Sequence, residues 1–252
     1  MSYLNPHSVA ADLCVDITPL LRLAAARPDR PGPDFALAAS QAQAAGADAI
    51  GLSLCGPDGE SFAALLPMLM TGLQLPLALT IPATAAMVEL VAGLQPQRIC
   101  LVPAYSLNPT LQIDAIKAVV DQLQATPMSV SIALAIAATP EQLQAAFEAG
   151  VDAIELDATH YAAAGKTDQV GLELDHIATC AAAAVRLGLR VQVAHGLDAS
   201  NLGALAALAD IAQVQSGLAL LSRAIFVGWQ RAVGELKAAL SQARSGRTGV
   251  SR

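Results

Sequence analysis

The chain has 252 residues, 54% of them hydrophobic and only 14% charged, and its 14 Lys and Arg against 21 Asp and Glu leave a formal charge of -7. That length suits one domain of the α/β-barrel class. The acid excess, with no basic cluster before the last ten residues, excludes a nucleic-acid backbone as partner, because such binding needs a positive stripe to displace counterions.

Short apolar runs alternate with alanine-rich helical runs from one end to the other, the pattern of parallel strands joined by helical crossovers. Strands are expected over Asp12–Asp16, Ala49–Leu54, Pro76–Ile81, Arg98–Val102, Ser129–Ile136, Ala153–Asp157, Arg190–Ala194 and Ile211–Gln215. Between and after them the helical periodicity predicts Phe35–Ala45, Ser61–Met70, Ala83–Ala92, Leu111–Gln124, Pro140–Ala149, Gln169–Leu187, Asn201–Leu208 and Leu218–Ala243. The phrase Ala-Gly-Ala-Asp-Ala-Ile at 45–50 recurs as Ala-Gly-Val-Asp-Ala-Ile at 149–154. Each copy joins a helix end to a strand start, with glycine closing the last carbonyls. Eight strands predict a single (β/α)8 TIM barrel over residues 1–244, followed by a polar tail at 245–252.

Other features narrow the surroundings. The apolar stretches are broken by Pro, Gly, Gln or charge before they reach bilayer length, so no membrane partner is expected. No basic-then-apolar leader opens the chain, and a cytoplasmic location is the expectation. So few charges on so apolar a chain predict a homo-oligomer. Cys14, Cys55, Cys100 and Cys180 are widely spaced and suggest neither a metal site nor a redox pair. No cofactor is expected.

In such a barrel, chemistry belongs to the C-terminal ends of the strands. His195 ends the seventh strand and can give or take a proton near neutrality, or it can be a wall histidine with no such role. Gly196 and Gly217 follow strands seven and eight, where backbone N–H groups commonly hold phosphate, although ordinary turns also need glycine there. Asp16 and Asp157 end strands one and six as candidate bases or as caps, with Arg22 in reach of the same mouth as Asp16. His160 and Tyr161 read as rim residues and His176 as a solvated or interface histidine. A thiolate nucleophile at Cys14 or Cys55 is a further alternative.

Read in order, Leu13-Cys14-Val15-Asp16-Ile17 with Arg22, Pro33-Asp34, Ala45-Gly46-Ala47-Asp48, Cys100-Leu101-Val102-Pro103, Ile154-Glu155-Leu156 with Tyr161 and Lys166-Thr167-Asp168, His195-Gly196-Leu197 with Asn201, and Gly217 with Arg223-Ala224 resemble pyridoxine 5'-phosphate synthase. The resemblance implies a (β/α)8 barrel, usually an octamer, that condenses 1-deoxy-D-xylulose 5-phosphate with 3-amino-1-hydroxyacetone 1-phosphate. It implies His195 as proton donor, Gly196 and Gly217 as contacts to the amino-ketone phosphate, Asp16 as a site residue and Thr110 as a contact to the other substrate.

The same alignment of motifs brings departures. Cys14 stands for an asparagine, Ile17 for a histidine, Ser53 for a histidine base, Cys55 for an arginine and Glu60 for a second histidine. Ala78 stands for a glutamate base, Ala104 for a glutamate, Asp157 for a histidine and Leu218 for another. The losses fall on the sugar-phosphate side, while His195, Gly196 and Gly217 persist. The sequence therefore predicts a pocket for a small phosphorylated metabolite with altered chemistry, or a non-catalytic relative that binds a ligand or pairs with an active synthase.

Overall fold

A computed structural model describes residues 11–26, 29, 32–70, 72–103, 110, 112–165 and 168–248. Its eight strands are β1 (Asp12–Asp16), β2 (Ala49–Ser53), β3 (Leu77–Pro82), β4 (Arg98–Val102), β5 (Ser131–Ile136), β6 (Ala153–Asp157), β7 (Arg190–Ala194) and β8 (Ile211–Ser216). They close in sequence order into one barrel, every pair parallel, with β8 returning to β1 through Leu13 opposite Val214. The expected (β/α)8 barrel is the fold of this chain.

Alternation along each strand explains the barrel's two surfaces. Leu13 and Val15, Ile50 and Leu52, Leu79 and Ile81, Ile99 and Leu101, and Ile154 and Leu156 belong to the buried core under the helices. The residues between them face the barrel axis and are small or polar: Cys14, Gly51, Ala78, Cys100, Ala133, Ala153 and Glu155. Small axial residues at mid-barrel leave room at the mouth.

The helices are α1 (Thr18–Ala25), α2 (Phe35–Ala44), α3 (Gly59–Met70), α4 (Ala85–Ala92), α5 (Ile113–Gln124), α6 (Pro140–Ala149), α7 (Thr159–Ala164), α8 (Gln169–Arg186), α9 (Leu202–Ala206), α10 (Leu218–Val227) and α11 (Trp229–Thr248). Two of these, α1 and α7, were not expected from the sequence; both are short and start directly after a strand. The single helix expected over Leu218–Ala243 is two, broken at Gly228 with φ +88. Helix α11 also runs to Thr248, so it takes in the first residues of the expected tail. Its Trp229 indole donates to the Ala38 carbonyl at 2.8 Å, tying the last helix to α2. Among the described residues no helix is long and apolar enough to cross a membrane.

The repeated hexapeptide has one physical job done twice. Gly46 and Gly150 take φ +96 and +77, turning the chain from helix to strand. The aspartate two residues on then satisfies the start of the preceding strand: Asp48 accepts from the Leu13 N–H at 2.7 Å, and Asp152 from the Ile132 N–H at 2.8 Å.

Candidate functional site

The strand ends open into a cavity of about 670 Å³. Its wall includes Asp16, Arg22, Ser53, Cys55, Glu155, Asp157, His160, Glu173, His176 and His195. Arg22 reaches it from α1, whose Pro19 presets the first turn. His195 reaches it from the end of β7 with φ +75, one of two non-glycine residues with positive φ among those described. A left-handed histidine costs roughly 1–3 kcal/mol, and such strain concentrates where function holds it in place.

Asp16 is fixed by a local turn. Its Oδ1 accepts from the Thr18 N–H at 2.9 Å and from the Thr18 hydroxyl, and Thr18 Oγ1 accepts from the Ser53 N–H at 2.7 Å. The same Asp-x-Thr device recurs at Asp157 and Thr159, with an N–H contact of 2.8 Å. The cap reading of both aspartates is therefore real, and it uses one oxygen of each. For Asp16 the other oxygen lies against Gly217: a Cβ at residue 217 would sit 2.8 Å from Asp16 Oδ2.

Both candidate phosphate glycines have packing reasons of their own. Gly196 has φ +70, and a Cβ there would stand 2.6 Å from the Ala162 Cβ. Gly217 gives way to Asp16. Neither glycine belongs to the cavity wall. Gly217 does precede α10, whose first turn has no side-chain cap. The loop after β7 is held by Asn201, which donates to the Gly196 carbonyl at 2.9 Å and accepts from the Asp198 N–H at 2.9 Å. Tyr161, read as a rim residue, is instead buried, and its hydroxyl donates to the Asn201 carbonyl at 2.6 Å.

Glu155, within the Ile154-Glu155-Leu156 motif, lines the cavity and interacts with His195. It is 3% exposed, and its alternation in Ala153-Ile154-Glu155-Leu156-Asp157 aims it at the barrel axis. An acid at an inward position of an apolar strand was the signal that could have found it. Desolvation pushes its carboxyl above the ordinary carboxylate range, and the nearby His195 and the Cys100 thiol offset part of that. Asp16 is raised for the same first reason, with Thr18, Arg22 and His195 opposing it. Raising the pKa of a buried acid brings it closer to that of an imidazole, which eases proton transfer between the two.

The remaining expectations separate. Ser53 lines the cavity, and its hydroxyl accepts from the Cys55 N–H at 3.2 Å. Ala78 lies lower, beside a small enclosed space at the barrel axis. Thr110 is half-buried and does not line the mouth; Ala104, Lys166, Thr167 and the side chain of Glu60 lie outside the described residues. His176 is exposed, as expected of a solvated histidine, and stands beside Glu173 at the edge of the mouth. Burial drives the Cys14 thiol far up, and Cys55 and Cys100 are raised as well, which disfavours a thiolate nucleophile. No cluster of His, Cys, Asp and Glu among the described residues could hold a metal ion.

Known barrels share this architecture at low identity. Over 99% of this chain and 97% of the other, the structure of an Amycolatopsis orientalis BexX/CysO complex matches with a TM-score of 0.67 and 14% identity. Tryptophan synthase subunit alpha from Legionella pneumophila matches at 0.60 and 14%, covering 94% of this chain and 93% of its own. Phosphoribosylanthranilate isomerase from Thermotoga maritima matches at 0.59 and 11%, covering 92% and 99%. At such identities they speak for the fold alone. Residues 13–242, from β1 into α11, match the family described as pyridoxal phosphate biosynthesis protein PdxJ. With nearly all of the barrel inside that match, the chain belongs to the PdxJ family.

Proposed function

We propose that this PdxJ-family barrel binds a small phosphorylated metabolite, an amino-ketone phosphate or a close analogue, and that His195 moves a proton on it. The carrying observation is His195, held left-handed at the end of β7 and near both Asp16 and Glu155. The uncapped first turn of α10 after Gly217 offers N–H donors and the positive end of a helix dipole to a phosphate, with Gly196 beside β7 and Arg22 adding charge. Asp16 lies against Gly217, and its raised pKa favours a proton that can be shared with a phosphate oxygen.

The parent condensation needs bases at strands two and three, where this chain has Ser53 and Ala78. Each general base is worth ~10²- to 10⁴-fold, so the condensation is expected to be slow at best. Purified protein incubated with 1-deoxy-D-xylulose 5-phosphate and 3-amino-1-hydroxyacetone 1-phosphate, assayed for pyridoxine 5'-phosphate, reads that activity. Calorimetry with the amino-ketone phosphate reads the pocket. Binding that weakens in Arg22→Ala, with solvent-proton exchange that is lost in His195→Asn, is the expected outcome; no affinity for the amino-ketone phosphate or for inorganic phosphate refutes it.

A second reading, a non-catalytic relative that binds ligand or pairs with an active synthase, draws on the same two replacements. It predicts binding without proton exchange. Assembly as a homo-oligomer, up to the octamer usual for such synthases, belongs to either reading.

A further inference from the structure

Two glutamines stand on the inward face of β8, one on each side of the core residue Val214. Gln213 is buried, accepts from Arg98 and donates to Gln192 at 3.0 Å. Gln215, half-buried and nearer the mouth, has no hydrogen-bond partner for its carboxamide among the described residues. It lines both the mouth cavity and the enclosed space beneath it, and of the described residues only Thr80 and Glu155 also line both. The bottom of the cavity is therefore polar on three sides. The space beneath is about 20 Å³, room for roughly one water, so a ligand in the mouth rests on these three side chains. Once it expels water, a carboxamide left unpaired there is costly, and a matching ligand atom removes that cost.

We propose that Gln215 is the specificity-determining residue of this mouth, its carboxamide N–H donating to the ketone oxygen of the bound metabolite. The assignment rests on the reading of the mouth as a site for an amino-ketone phosphate, and adds the group that tells a ketone from a plain amine phosphate. A neutral acceptor suits the place. Glu155 is buried there, and desolvation raises its pKa, so the bottom of the cavity penalises charge. An ammonium or phosphate group would bring an ion to it, whereas a carbonyl oxygen brings none and accepts from a donor that stays neutral. The chemistry is consistent with this position. When His195 takes a proton from the carbon beside the carbonyl, the C–H electron pair becomes a C=C bond and the C=O pair moves onto oxygen. Gln215 then faces an oxygen gaining negative charge, as the donors of an oxyanion hole do. Return of a proton to that carbon restores the ketone, with exchange against solvent as the only net change.

Calorimetry of the full chain with a matched pair of ligands reads the carbonyl alone: 3-amino-1-hydroxyacetone 1-phosphate and 3-aminopropyl phosphate, which has CH₂ in place of C=O. Wild type is expected to bind the ketone at least ~10-fold more tightly, the scale set by a buried polar group left unpaired. Gln215→Leu should lose that preference, and its solvent-proton exchange on the ketone should slow by ~10²-fold, as on removal of an oxyanion donor. If Gln215→Leu fails to fold by circular dichroism, Gln215→Met, which keeps the unbranched chain, replaces it with the same expectation. A wild type that binds both ligands equally, or a folded Gln215 variant that keeps both the preference and the exchange rate, overturns the assignment and leaves the phosphate site standing. Binding of neither ligand overturns the site itself, and this assignment with it.

Discussion

At the N-terminal end of the barrel, Arg98 donates to Gln213 and pairs with Asp12 at 3.1 Å, and Gln213 donates to Gln192 at 3.0 Å. Around that network Asp48 and Asp152 close the starts of β1 and β5, and Arg190 donates to Ser131. At the C-terminal end, a histidine is held in a strained conformation and two acids carry pKa values raised by burial. Most polar groups at the floor are paired with one another, Arg98 Nε excepted, and Asp12 there is raised by burial as the mouth acids are. What sets the mouth apart is the left-handed His195 beside two buried acids in an open cavity. Barrels of this kind usually divide stability and ligand chemistry between these two ends, and the proposed site follows that division.

The contrast breaks most visibly at Arg98. Its replacement by Met leaves the half-buried Asp12 and the buried Gln213 without their cation, and losing one partner of a fully buried pair costs ~3–5 kcal/mol, the upper bound here. Urea denaturation should show that loss; a change under ~1 kcal/mol would mean the floor network is not what holds the barrel. Next come the two repeated aspartates, Asp48→Ala and Asp152→Ala, each expected to cost ~1–3 kcal/mol for a strand N–H left unpaired. Asp48 should be the more costly, since it also pairs with Lys237 at 2.6 Å. Equal midpoints for Asp48→Ala and wild type would refute the shared role.

The floor was the more legible end. Its signal is local and repeated: a glycine that must turn, then an aspartate at fixed spacing, then an apolar strand, all within one hexapeptide. The mouth was half legible. His195, Asp16 and Arg22 sit at strand ends or just beyond, where chain order alone finds them, and the structure brings all three to one cavity. Glu155 was passed over because its meaning depends on which way a strand faces, and α1 and α7 because short helices carry little periodicity. Gly228 was read through because a lone glycine inside a helical pattern is usually tolerated. Thr110 rested on the resemblance alone.

At the mouth the expected stability effect has the opposite sign. The folded-state pKa of Glu155 is raised, so the folded chain holds its proton more tightly than the unfolded chain does. Stability from that proton is complete below the unfolded value near 4.5 and is lost as pH rises through the raised folded value. Glu155→Gln, which never ionises, should therefore melt above wild type at pH 7–8, and the gap should narrow toward pH 4. A gap that stays constant from pH 4 to 8 would show that the carboxyl is not strained by burial and would weaken the case for a proton held at the site.

The smallest expected effect is one of reactivity with no change in fold, and it separates the mouth from a nucleophilic site. Burial raises all four thiols; for Cys180 the value reaches about 11 from 9.0, which cuts its thiolate near neutral pH by roughly 100-fold, since each unit is tenfold. Cys14 lies deeper and is raised further, while Cys55, half-buried at the mouth, is raised despite Ser53 and Arg22. Because thiolate is the reacting form, iodoacetamide at pH 7 should label the folded chain far more slowly than the same chain in urea, with Cys55 first among the four by access. Rapid, selective labelling of Cys55 in the folded chain would reverse that argument, for it would require a thiolate that its surroundings disfavour, and the chemistry of the mouth would then have to be rebuilt around sulfur instead of His195.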